Sequence, residues 1–128
     1  MAHCHCRICR KAHGSAFSTV LPVSAEGFRW ISGETALSHF ESSPGKRRWF
    51  CPKCGSQVIS SRDSIPEAVL LRAGSIDSGY SEGAVAHLWV ESMPPWNTLT
   101  DELVQFKRGA PGAPPGVEDE HGVESDAE

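Results

Sequence analysis

Cys4-His5-Cys6-Arg7-Ile8-Cys9, a C-x-C-x₂-C run, and Cys51-Pro52-Lys53-Cys54, a C-x₂-C pair, hold all five cysteines of the chain. Thiols grouped this tightly point to metal. Short spacing lets two or three soft sulfurs converge on one ion without long-range folding, and zinc suits such a donor set. A disulfide framework fits less well, because it belongs to secreted chains that begin with a signal peptide, and this sequence opens directly on its first cysteine group. The odd count also matters. A closed structural zinc takes four ligands, whereas a reactive zinc takes about three and keeps one position open. Cys4, Cys6 and Cys9 make an open trio, and Cys51 and Cys54 make half of a closed site. A rival arrangement joins Cys6, Cys9, Cys51 and Cys54 into one ribbon-like site. Its gap from Cys9 to Cys51 exceeds the usual ribbon spacing of roughly 15–20 residues, so it ranks second.

Composition bounds the rest. The chain has 128 residues, enough for one domain with a modest core. No apolar stretch is long enough to span a membrane, and clustered free thiols make the reducing cytoplasm the expected compartment. The net charge of −4 is unevenly placed. From Gly109 onward the chain is rich in Pro and Gly and carries six acids with no Lys or Arg, while residues 1–108 hold twelve basic and ten acidic side chains. Residues 108–128 therefore read as a disordered acidic tail, and 1–107 as the folded domain.

That domain reads as mainly β with little helix. Phe17–Val23, Phe28–Ile31, Gln57–Ser61, Val69–Ala73 and Ala84–Glu91 carry strand-forming residues, and strands flank the Ser43-Pro44-Gly45 turn. Helix is expected only near Cys9–His13 and Thr100–Gln105.

Cys4-His5-Cys6-Arg7-Ile8-Cys9-Arg10-Lys11, followed by Gly14-Ser15-Ala16-Phe17-Ser18, resembles the signature of the glutathione-dependent formaldehyde-activating enzyme family, a superfamily that includes the centromere protein V domain. Phe50-Cys51-Pro52-Lys53-Cys54-Gly55-Ser56 resembles its second motif. Gly74-Ser75-Ile76-Asp77, the strand around His87, and Pro95-Trp96 with Leu103 and Phe106 follow in the order of its weaker landmarks. The resemblance implies an Mss4-like, β-tent-type zinc domain with two zincs. The reactive zinc would be held by Cys4, Cys6 and Cys9. The structural zinc would be held by Cys51, Cys54 and a C-x-C on a strand that precedes the first motif. Here Met1 stands just before that motif, so the expectation is one zinc in this chain and a natural start further upstream. The implied activity is that of a carbon–sulfur lyase acting on an adduct of glutathione, or a similar thiol, with formaldehyde or another small aldehyde. The alternative is a noncatalytic zinc module with a structural or protein-interaction role.

The chemistry agrees with the name. Three thiolates leave a zinc centre with net negative charge, a weaker Lewis acid than a histidine-held zinc and less suited to ionising water. Such a centre still takes up a fourth thiol, lowers its pKa and places the sulfur beside an electrophile. Arg10 and Lys11, next to the cysteines, are candidates for the carboxylates of glutathione. Lys46, Arg47 and Arg48 read as a solvated turn. The nearly neutral domain and the lack of a standard module exclude nucleic acid as a partner. His5 is expected to turn outward and His3 to fray. His87 reads as a satisfied, half-buried histidine, and Asp77 as a turn cap.

Overall fold

A computed structural model describes residues 1–111; most of the expected tail, 112–128, lies outside the described residues. Among the described residues, eight strands and one seven-residue α-helix make up the regular structure, with four short 3₁₀ turns. The mainly β expectation holds. Among the described residues no helix is long and apolar enough to cross a membrane. The described residues divide into two compact units, one formed by Met1–Thr19 with the described residues from Glu82 onward, the other by Val20–Ser81.

The first unit carries the amino-terminal cysteines. Strand β1 (Ala2–Cys4) runs parallel to β7 (Ala86–Leu88), pairing His3 with His87 and Cys4 with Leu88. β7 runs parallel to the two-residue β8 (Val104–Gln105). Helix α1 (Arg7–His13) begins directly after the β1 exit loop. Cys6 caps it: its Sγ accepts the N–H of Cys9 at 3.3 Å, and its carbonyl accepts the N–H of Arg10 at 3.0 Å. Arg10, Lys11 and His13 occupy the last turn, where positive charge suits the helix dipole. Gly14 ends the helix at φ 59°, a left-handed geometry that glycine adopts without a Cβ penalty.

Two sequence expectations fail in this unit. Ala84–Glu91 forms strand only over Ala86–Leu88, because Trp89 adopts a left-handed backbone (φ 60°) and turns the chain into a 3₁₀ turn at Val90–Ser92. Thr100–Gln105 is not helical. The Asp101 carboxylate accepts the Leu103 N–H at 2.9 Å, which bends the segment and delivers Val104–Gln105 to β7 as a short strand.

In the second unit the strand order is β3-β4-β5-β6-β2, all antiparallel neighbours: β3 Ser38–Ser43, β4 Lys46–Phe50, β5 Gln57–Arg62, β6 Ala68–Arg72 and, from Val20 on, β2 (Ser18–Ser24). The β3–β4 turn falls at Pro44-Gly45 as the sequence suggests. Phe28–Ile31 forms no strand. A 3₁₀ turn at Ala25–Gly27 leads into it, the Phe28 and Trp30 rings meet edge to face at 5.1 Å, and Ile31 faces solvent. The local aromatic pair replaces a partner strand there. The solvated-turn reading of Lys46–Arg48 is also corrected. Strand alternation turns Lys46 and Arg48 into the interior and only Arg47 outward, where it pairs with Asp63 at 2.8 Å and Glu41 at 3.6 Å.

Candidate metal centre

Strand β1 delivers Cys4, the loop after it Cys6, and the first turn of α1 Cys9. Their sulfurs all lie within 4.8 Å of one another, and each side chain is at most 5 % exposed. Among the described residues, this is the group of three or more His, Cys, Asp or Glu side chains placed to hold a metal. A tetrahedral zinc with Zn–S bonds of about 2.3 Å sets its sulfurs roughly 3.8 Å apart, so the thiols already stand near that spacing. Their protonation chemistry fits a cation as well. Contacts with the Cys6 and Cys9 sulfurs, then burial, push the Cys4 thiol well up. The Cys4 contact pulls Cys6 down, but Cys9 and burial outweigh it and leave that thiol at about 12. Crowded, dry thiols cannot all ionise against one another, and a divalent cation among them supplies the compensating charge. The cluster can bind a metal such as zinc.

His5, between two of these cysteines, is fully buried rather than turned outward. Its Nε2 lies 2.8 Å from Nδ1 of His87, which is also buried, and His87 Nε2 lies 3.0 Å from both carboxylate oxygens of Asp101. Asn97 Nδ2 stands 3.5 Å from His5 Nδ1. A carboxylate only accepts, so one hydrogen order satisfies these side-chain contacts. His87 Nε2–H donates to Asp101, His5 Nε2–H donates to His87 Nδ1, and the Asn97 amide donates to His5 Nδ1. Burial, then the neighbouring imidazoles of His87 and His3, lowers the His5 pKa to about 4, so this ring is neutral near pH 7. Arg10 ties down the same loop, donating from Nε to the His5 carbonyl at 3.3 Å and from Nη2 to the Ser92 carbonyl at 3.0 Å. His3 is ordered in β1 and does not fray. Its Nδ1 meets Thr19 Oγ1 at 2.8 Å and its ring packs on Phe17 at 4.5 Å.

The sequence did not reveal Asn97 or Asp101. Both belong to an ordinary polar stretch, and only the fold brings them to histidines that are distant in sequence. Asp101 yields a testable pH effect. The Leu103 N–H, then His87, holds its carboxyl below the ordinary value of 3.8. A depressed carboxylate stabilises the folded state above the unfolded pKa, and that contribution is lost as pH falls through the folded pKa. Urea midpoints between pH 7 and 2 are expected to show a loss below about pH 4 in the wild type. Asp101→Asn should have a lower midpoint at pH 7 and a shallower acid slope; parallel slopes would mean that the carboxylate is not held this way.

Cys51 and Cys54 lie in the β4–β5 connection of the second unit. Gly55, at φ 78°, donates its N–H to the Cys51 carbonyl at 2.6 Å, and the Cys51 N–H reaches the Ser56 carbonyl at 2.9 Å. The backbone N–H groups of Cys54 and Lys53, then the Cys54 thiol, point at the Cys51 sulfur and lower its pKa. Cys54 is exposed. Of the remaining candidates, Lys11 and Asp77 are exposed.

Among solved structures, a crystal structure of a Rhodobacter sphaeroides protein from a structural genomics programme is similar at a TM-score of 0.51 and 20 % identity. The match covers 62 % of this chain and 70 % of that one, and it bears on the fold alone. Comparison with curated proteins gives no match. Residues 1–92, which contain both cysteine motifs and the His5–His87 contact, match the family described as glutathione-dependent formaldehyde-activating enzyme, and the chain belongs to that family.

Proposed function

We propose that the chain is a zinc-dependent carbon–sulfur lyase that works reversibly on the adduct of a small thiol, glutathione in the first instance, with formaldehyde or a similar aldehyde. The observation that carries this reading is the convergence of three, rather than four, buried cysteine sulfurs in a member of this family. In the synthetic direction the thiol sulfur bonds to the aldehyde carbon, and the thiol proton ends on the carbonyl oxygen. Zinc, when bound, would offer one open position that lowers the pKa of an incoming thiol. Cys4, Cys6 and Cys9 would hold it, while the low exposure of their side chains keeps bulk water from the sulfurs. The Asn97–His5–His87–Asp101 chain and Arg10 fix the loop that carries Cys6. Exposed Lys11 would attract the carboxylates of glutathione. Arg10, whose guanidinium already serves two carbonyls, would contribute to the same field. Cys51 and Cys54, with the N–H groups of Lys53 and Cys54 aimed at the Cys51 sulfur, would supply two ligands of a separate structural zinc.

The burial of all three sulfurs also favours a second reading, a noncatalytic zinc module whose metal is closed off. One assay separates the two readings. Adduct formation from glutathione and formaldehyde is followed with zinc-loaded protein, metal-free protein and no protein. A lyase accelerates it at least tenfold over the spontaneous rate only when loaded; equal rates in all three would sink the lyase reading.

A further inference from the structure

The β4–β5 connection holds two cysteine sulfurs together at a bare hairpin tip. Its backbone closes on itself: the Cys51 N–H donates to the Ser56 carbonyl at 2.9 Å, and the Gly55 N–H donates to the Cys51 carbonyl at 2.6 Å. Inside that loop the N–H groups of Cys54 and Lys53 are aimed at the Cys51 sulfur, and the Cys54 thiol meets the same sulfur. A sulfur that receives backbone N–H groups is arranged for the thiolate form, the form that ligates zinc. Cys51 is half-buried, and every residue from Pro52 to Ser56 is exposed. Two ligands therefore stand together where solvent reaches them.

A structural zinc takes four ligands. Among the described residues no third His, Cys, Asp or Glu stands close enough to Cys51 and Cys54 to share an ion with them, whereas Cys4, Cys6 and Cys9 do so with one another. Symmetry offers the other two. A tetrahedron has a two-fold axis through its centre that exchanges one pair of corners for the other. A zinc on the axis of a symmetric dimer thus receives the same two sulfurs from each copy. Exposure of the whole tip lets two such hairpins meet without drawing any side chain out of the interior. Charge agrees as well. Four thiolates around one Zn²⁺ leave two negative charges, and the Lys53 ammonium that acts on the Cys51 sulfur in each copy neutralises them.

We propose that Cys51 and Cys54 share one zinc with the same two cysteines of a second copy of this chain, so that the metal clips two hairpin tips into a symmetric dimer. The inference rests on the reading of this pair as structural-zinc ligands and adds the source of the remaining two. It is independent of the chemistry at Cys4, Cys6 and Cys9. Metal–sulfur bonds supply here what a large apolar interface supplies in an ordinary dimer.

The test uses the full chain with zinc in slight excess and a non-chelating phosphine reductant. Native mass spectrometry counts chains and metal together, and sedimentation velocity gives the oligomeric state in solution. Wild type is expected as a dimer that falls to monomer when EDTA removes the metal. Cys54→Ser, a change at an exposed position, should be monomeric and hold one zinc fewer per pair of chains than wild type. Lys53→Glu keeps every sulfur and reverses the neutralising charge, so it should weaken the dimer by roughly tenfold or more. A dimer that survives EDTA or Cys54→Ser would overturn the shared site. A wild-type monomer that loses one zinc per chain on Cys54→Ser would overturn the bridge and leave the pair as zinc ligands within one chain. A zinc count untouched by Cys54→Ser would overturn both.

Discussion

Cys6→Ser is expected to abolish zinc binding by the amino-terminal cluster while leaving helix α1 intact. Cys6 has two roles: it gives a sulfur to the trio and caps α1 by accepting the Cys9 N–H. Serine is among the best helix caps and nearly matches cysteine in shape, so the substitution preserves the cap and removes the soft ligand. The oxygen it introduces is a poor zinc ligand beside two thiolates. Affinity should fall by on the order of a hundredfold or more, since changes even to groups behind the ligands cost about 10–100-fold. Because zinc binding is linked to folding, the melting temperature in zinc should fall with it. Cys51→Ser should leave this zinc in place. Native mass spectrometry counts the metal directly. Retention of the same zinc by Cys6→Ser, with loss in Cys51→Ser, would move the metal to the other cysteine group.

Trp89→Ala should cost about 3–5 kcal/mol, the usual range for deleting a fully buried large aromatic. Trp89 is 2 % exposed and is the largest side chain among those buried. It also holds an unfavourable backbone: a non-glycine residue at φ 60° gives up roughly 1–2 kcal/mol. The indole's packing offsets that strain. The turn it holds sends the chain into Val90–Ser92, whose Ser92 carbonyl receives Arg10, and Arg10 in turn holds the His5 carbonyl between two cysteines. Loss of the indole therefore loosens the metal loop as well as the core. With a denaturant slope of about 2 kcal/mol/M, the urea midpoint should drop by roughly 2 M. Trp89→Gly, free of the φ penalty, should be more stable than Trp89→Ala by about 1 kcal/mol. A loss under about 1 kcal/mol in the alanine variant would contradict this packing.

The parts of the fold legible in the sequence are those set by local chemistry. Cysteine spacing of one and two residues located the sulfur cluster, because a strand end followed by the first turn of a helix converges such a run wherever the rest of the chain goes. Pro44-Gly45 fixed the β3–β4 turn, and the apolar runs at Gln57–Ser61 and Val69–Ala73 gave β5 and β6 to within a residue or so. What was not legible depends on distant partners. Phe28–Ile31 has strand composition but pairs with no strand among the described residues, and its aromatic rings pack on each other locally. Ala84–Glu91 alternates convincingly, yet burial of the Trp89 indole overrides the alternation. The three charges of Lys46–Arg48 look like a turn surface in sequence; strand alternation sends two of them inward, and nothing local announces that. His5 was assigned outward by local geometry, whereas its direction is set by His87, 82 residues away. The convergence of Cys4, Cys6 and Cys9 was readable from spacing. The groups that hold their loop required the fold.

The central claim is that Cys4, Cys6 and Cys9 hold zinc with one position left for a thiol. Zinc K-edge X-ray absorption on the Cys51→Ser, Cys54→Ser double variant, before and after addition of glutathione, measures it most directly by counting the sulfurs around the metal. The account predicts three sulfurs and one lighter ligand at first, rising to four sulfurs with bonds of about 2.3 Å once the thiol is present. A coordination shell that glutathione leaves unchanged would contradict it and leave a closed structural zinc.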